Sequence, residues 1–107
     1  MDKLLYNSLL YDFYGELLTQ KQREVYHMYY CDDMSLAEIG ERLNISRQAV
    51  NFSIKQAQRS FEDYEAALGL VKSHANLREL ASSLRAAIEQ KNFAASIDIL
   101  IKLENII

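Results

Sequence analysis

The sequence predicts an all-α protein organised around a helix-turn-helix. Three observations carry that expectation. The 107-residue chain has no Pro and only three Gly, at positions 15, 40 and 69, fewer turn residues than a β-rich fold needs. Apolar residues recur at helical spacing along most of its length. Two capping boxes, Thr19 with Gln22 and Ser35 with Glu38, stand directly ahead of such runs and mark helix starts. The length suits one compact domain, or one domain with a helical appendage.

Taken in order, the first helix is predicted over about 3–18. Leu5, Leu9, Phe13 and Leu17 step by four, and Tyr6, Leu10 and Tyr14 widen the stripe, a breadth that predicts burial on more than one side. The Thr19 box opens a second helix over about 20–31, with Val25, Tyr26, Met28, Tyr29 and Tyr30 as its apolar residues. Tyrosines suit a half-buried face, where the ring packs and the hydroxyl stays wet. Asp32-Asp33 is the linker, its carboxylates favourable at the start of the third helix. That helix, about 36–43, carries Leu36, Ile39 and Leu43 on one face. Asn44 closes it, because Asn tolerates the left-handed conformation. Ser46 caps the fourth helix, which runs 46–68 on a face of Val50, Ile54, Ala57, Phe61, Tyr64 and Leu68. Gly69 ends it as a C-cap. The helix-turn-helix spans 35–59, and residues 1–69 form a four-helix domain without a wing.

Beyond Gly69 the pattern changes. Leu70, Leu77 and Leu84 repeat every seven residues, with Leu80, Ala81, Ala87 and Ile88 filling the stripe. A helix over about 70–90 follows, too short to be a coiled coil. Lys91-Asn92 breaks it. The last helix has Phe93, Ile97, Leu100, Leu103 and Ile107 on one face, and Ile99, Ile101 and Ile106 outside it. A helix apolar on two sides needs two neighbours. Residues 70–107 are therefore expected to form a C-terminal helical hairpin extension that packs on a second copy, as a homodimer, or on a partner.

Charge locates the candidate surface. The net charge is −3, unfavourable for a general binder of phosphates. Its distribution matters more. Residues 1–69 hold seven Lys/Arg against eleven Asp/Glu, yet Arg42, Arg47, Lys55 and Arg59 fall in an acid-free stretch. The acidic run Glu62, Asp63 and Glu65 follows, so only the first turns of the fourth helix suit a polyanion. At 100° per residue, Gln48, Asn51, Phe52, Lys55 and Arg59 oppose the core face, with Arg47 at the edge and Ser46 at the cap. The N-terminal turns of the second helix of such a motif enter the major groove. Arg47 suits guanine, Gln48 and Asn51 suit adenine, and Lys55 and Arg59 suit phosphate. Phe52 fits a thymine methyl, an unpaired base or a protein partner. Partial burial on a curved helix is the competing account of Phe52, and an ordinary solvated polar face that of the whole surface.

Other chemistries find little support. His27 and His74 lie far apart with no third ligand at a recognisable spacing, so no metal site is expected. Cys31 is the only cysteine and has no nearby base; it is expected to be a buried apolar thiol. No phosphate loop, nucleotide fingerprint or triad spacing occurs, so neither catalysis nor a cofactor is expected. No apolar run is long enough to span a bilayer, and the N-terminus is amphipathic and acidic, unlike a signal peptide. A cytoplasmic protein without membrane insertion is the expectation.

The stretch LTQKQREVYHMYYCDDMSLAEIGERLNISRQAVNFSIKQA resembles region 4 of sigma-70-type factors, in which a helix opening L-T/S-x-x-Q/E-R precedes a helix-turn-helix with S-x-x-E-I-A-x-x-L-x-I/V-S. This sigma-70 region 4-like pattern places Arg47, Gln48 and Asn51 among groove-facing positions. The chain departs from it at Phe52, where a polar reader is usual, and at Glu62 to Glu65, where a basic run is usual. Residues 1–69 more closely resemble the YlxM family of Gram-positive bacteria and mycoplasmas, through LLYDFYGELLTQKQ at 9–22, YYCDDMSLAEI at 29–39 and NISRQAV at 44–50; beyond 70 only the helical character matches. That resemblance implies a helix-turn-helix protein whose gene usually neighbours those of the signal recognition particle. It implies an accessory or regulatory role in that pathway, with DNA or structured RNA, or the particle's GTPase, as partner. A DNA-binding transcriptional regulator and a protein-interaction scaffold remain the alternatives.

Overall fold

A computed structural model describes residues 2–106. Among these, the chain runs through α1 (Lys3–Tyr14), a 3-10 turn (Gly15–Leu17), α2 (Gln20–Tyr30), α3 (Leu36–Leu43), α4 (Arg47–Leu68), α5 (Leu70–Glu89) and α6 (Phe93–Ile106). Two compact units result, Met1–Gly69 and Leu70–Ile107.

The helix boundaries follow local chemistry. Asp2 caps α1 by accepting from the Leu4 N–H at 3.0 Å. The chain tightens at Tyr14, so the predicted helix over 3–18 is an α-helix followed by a 3-10 turn. Both capping boxes form: Thr19 Oγ1 accepts from the Gln22 N–H and Gln22 returns to the Thr19 N–H, while Ser35 and Glu38 do the same, each pair at 3.1–3.2 Å. Asn44 takes the left-handed conformation, φ 57° and ψ 46°, and ends α3. Ser46 Oγ accepts from the Ala49 N–H at 3.0 Å and starts α4. Gly69, at φ 62°, ends it.

The first unit has one continuous interior. Val25 and Met28 of α2, Ile39 of α3, and Val50 and Ile54 of α4 form a cluster closed by Tyr30, Met34, Leu36, Leu43 and Ile45. Further along α4, Ala57 and Phe61 are buried, as are Leu10, Tyr14 and Tyr26. The Tyr26 ring meets Phe61 edge-on, centroids 5.1 Å apart. The buried Tyr14 hydroxyl donates to Glu65 Oε1 at 2.7 Å. One acid of the Glu62–Glu65 run therefore tethers α4 to α1.

The α1 stripe differs from expectation. Leu10 and Tyr14 face the interior, whereas Leu5, Phe13 and Leu17 are exposed. The residues that step by four drift off the core because α1 covers only one side of α4, and a single neighbour buries a single narrow stripe.

The second unit is a helical hairpin. Leu80, Leu84 and Ala87 of α5 and Ile99 and Leu103 of α6 are buried or half-buried. Asn92 opens α6 by accepting from the Ala95 N–H at 3.1 Å. The Phe93 stripe is not the covered one. Phe93, Ile97 and Leu100 are 75%, 57% and 48% exposed, and Ile88 of α5 is also exposed. Ile107, expected on that stripe, lies outside the described residues. No residue of α6 is fully buried.

A candidate nucleic-acid interface on α4

Gly40 lets the helix-turn-helix close. A Cβ built there would stand 2.7 Å from the Ile45 carbonyl oxygen, inside any tolerable contact. The Ile45 N–H in turn donates to the Gly40 carbonyl at 2.9 Å. The turn thus packs directly on the α3 backbone, and Asn44 supplies the reversal. Ile45 packs on the core and Ser46 releases the chain into α4. With Val50, Ile54, Ala57 and Phe61 fixed inward, the rotation of α4 is set, and its opposite face must meet solvent.

That face holds the residues expected of it. Ser46, Arg47, Gln48, Phe52, Lys55 and Arg59 are exposed and Asn51 is half-buried. At 1.5 Å per residue, Arg47 to Arg59 spans about 18 Å, more than the ~12 Å width of a B-DNA major groove. Arg42, also exposed, lies in the last turn of α3 and widens the positive surface across the motif. Phe52 is 64% exposed. It projects from the polar face and is not folded into the core. Leu36, Arg47, Gln48 and Asn51 line a shallow open hollow of about 380 Å³ between α3 and α4. The Leu36 side chain gives it an apolar wall and the other three give it hydrogen-bonding groups.

A family model described as "Putative helix-turn-helix protein, YlxM / p13 like" (UPF0122) matches residues 1–100. The chain belongs to this family. It is 50% identical over 88 residues to a UPF0122 protein of Thermoanaerobacter sp. (strain X514), an alignment covering 82% of this chain and 75% of the relative. To a UPF0122 protein of Caldanaerobacter subterraneus subsp. tengcongensis it is 51% identical over 87 residues, 81% and 74% of the two chains. To one of Listeria welshimeri it is 46% identical over 86 residues, 80% and 78%. The family is a helix-turn-helix family, matching the motif that the capping boxes and the turn at Asn44 build.

Elsewhere, the Cys31 thiol corrects the sequence reading: it is exposed, not buried. It follows the last turn of α2, where the chain leaves the core. Partial desolvation, then the carboxylates of Asp32 and Asp12, push it above its ordinary value, so it is a poor nucleophile at neutral pH. Asp32 sits 3.6 Å from His27 Nε2, and His27 Nδ1 is 3.1 Å from the Tyr11 hydroxyl. Asp33 adopts a left-handed φ of 55° and serves as a turn residue. Among the described residues no three His, Cys, Asp or Glu side chains gather in a way that would hold a metal ion. No helix there is long and apolar enough to cross a membrane.

Two features escaped the sequence reading. One is the role of Gly40, whose signal was available: a glycine inside a helical pattern, four residues before the cap at Asn44, marks close backbone approach. The other is the hollow beside Leu36. Leu36 reads as core by spacing, and only the angle between α3 and α4 leaves part of it at the surface.

Proposed function

We propose that this UPF0122 protein is a non-enzymatic, cytoplasmic nucleic-acid-binding accessory protein of the signal recognition particle pathway, reading its ligand with the first turns of α4. One observation carries the nucleic-acid part. The exposed side of α4 from Arg47 to Arg59 is basic and free of acids within an otherwise acidic unit. A helix terminus presented this way is the reading element of helix-turn-helix proteins. Arg47, Gln48 and Asn51 are the base-edge candidates, and Arg42, Lys55 and Arg59 the phosphate candidates, with Ser46 at the cap. The pathway part rests on the family resemblance.

The test is a salt titration against duplex DNA and structured RNA. Three or four phosphate contacts give a slope of log affinity against log salt of about −3. Lys55→Ala reduces that slope by about 1, whereas Arg47→Ala also relaxes sequence preference. Failure of both nucleic acids to bind at low salt sinks the reading and leaves a protein-interaction scaffold. The pathway is tested separately: the protein should co-purify with the particle's RNA or GTPase, and change the GTPase rate when added.

Phe52 favours RNA within this reading. An aromatic ring standing free on a polar face matches stacking on an unpaired base, worth about 1–3 kcal/mol per base. Phe52→Ala should therefore weaken binding to a looped RNA by about that amount while leaving the melting temperature unchanged. The alternative, a sequence-specific transcriptional regulator of the sigma-70 region 4 type, is favoured by Arg47, Gln48 and Asn51. It requires that duplex DNA bind more tightly than RNA, with Phe52 against a thymine methyl.

The Leu70–Ile107 hairpin is proposed to form a homodimer. Its outer apolar side chains, Ile88, Phe93, Ile97, Leu100 and Ile101, are exposed. This hairpin holds five Lys/Arg against four Asp/Glu, so the charge repulsion between two copies is small.

A further inference from the structure

A groove of about 240 Å³ runs between α1 and α2, on elements the α4 reading does not use. It is smaller than the roughly 300–1,000 Å³ of drug-sized ligand sites, and of a size for one side chain. Its walls are aromatic. Tyr11 stacks on Tyr26 with centroids 5.5 Å apart and planes 9° from parallel, and Tyr26 stacks on Tyr30 at 4.4 Å. Asn7 and Asp12 of α1 and Cys31 after α2 complete the lining that matters here. Among the described residues, no Lys or Arg lines it.

We propose that this groove receives an arginine side chain presented by a protein partner. Tyr11 and Tyr30, half-buried whereas Tyr26 is buried, offer negative π-faces, on which a planar, weakly hydrated guanidinium stacks better than a compact ammonium. The Asp12 carboxylate supplies the counter-charge for its N–H fork. Tyr26 supplies a floor: the residue is 1% exposed. Burial, then Tyr30, Cys31 and Tyr11, keep that phenol protonated far above neutral pH. It therefore stays neutral and sets no charge of its own against the carboxylate. Asp12 and Asp32 both bear on the Cys31 thiol at the rim, so the approach is anionic. A phosphate backbone is repelled there and a cationic side chain is drawn in. The assignment is independent of what α4 binds.

Cys31, the only cysteine in the chain, reports occupancy directly. The full-length protein is alkylated with iodoacetamide in the presence of three capped tripeptides, Gly-Arg-Gly, Gly-Lys-Gly and Gly-citrulline-Gly. The arginine peptide should slow the reaction several-fold and shift the Tyr11, Tyr26 and Tyr30 ring resonances, the lysine peptide less, and the citrulline peptide hardly at all. Asp12→Asn, at an exposed position that leaves the fold intact, should remove most of the arginine protection. Tyr11→Ala should do the same, with far-UV circular dichroism confirming retained helix. Equal protection by citrulline overturns the assignment, because charge is then not what is read. Stronger protection by a short single-stranded RNA overturns it in favour of base stacking, and no protection by any peptide overturns it outright.

Discussion

Gly40 and Glu38 show how much single residues decide here. A Cβ at position 40 meets a backbone oxygen, not the movable end of a side chain, so the turn itself must shift. Gly40→Ala should therefore lose about 1–3 kcal/mol despite its better helix propensity, measurable by urea denaturation followed by circular dichroism. Glu38 gives a pH signature. The Ser35 backbone N–H, then the Ser35 hydroxyl, and Arg42 hold its carboxyl below the ordinary value of 4.5. A carboxyl depressed in the folded state stabilises above its unfolded value, and that stabilisation is lost as pH falls through the folded one. The melting temperature of the wild type should thus drop from about pH 4.5 downward by more than that of Glu38→Gln, which keeps the acceptor but carries no charge. Parallel acid curves for the two would show that the box contributes through geometry alone. At this scale the sequence was informative wherever a residue acts on its near neighbours, as at Ser35, Asn44 and Ser46. It was misleading at Cys31, whose exposure depends on where α2 leaves the core.

Among the elements, α4 does two jobs on two faces. Its inner face, from Val50 to Phe61, joins the α2–α3 cluster to the Tyr14–Tyr26 layer. Phe61→Ala should cost about 3–5 kcal/mol by emptying the space against Tyr26, and a urea midpoint close to wild type would refute that central role. The spacing of apolar positions from Val50 to Phe61 foretold this face, and with it the outward direction of Arg47, Gln48 and Lys55. The same arithmetic failed on α1. Its apolar breadth exceeds what one neighbour covers, so periodicity alone did not pick Leu10 and Tyr14 over Leu5 and Phe13. The hairpin repeats the lesson: Ile99 and Leu103 of α6 turn inward, whereas the wider Phe93–Ile97–Leu100 stripe stays outside.

For the whole molecule, the exposed stripe of α6 is the feature with consequences. A two-helix hairpin has too little surface to bury apolar residues on all sides of both helices. Ile97→Asp with Leu100→Asp changes residues exposed in a single copy, so it should leave helicity intact. Under the dimer proposal it should convert the protein to monomers in sedimentation equilibrium. An unchanged mass, or a wild type that is already monomeric, would refute the dimer.

Helix number, caps, the turn at Asn44, the break at Lys91-Asn92 and the helix-turn-helix were all determined by the sequence itself. Each depends on interactions within about four residues, and those are written in the chain. The acid-free stretch from Arg42 to Arg59 was equally visible. Tertiary structure alone decided which of two apolar stripes on α1 and α6 is covered, that Phe52 and Cys31 stand at the surface, and that Tyr11, Tyr26 and Tyr30 enclose a groove. Those outcomes depend on the angle and spacing of helices distant in sequence, where several packings satisfy the same periodicity and only the three-dimensional fit distinguishes them.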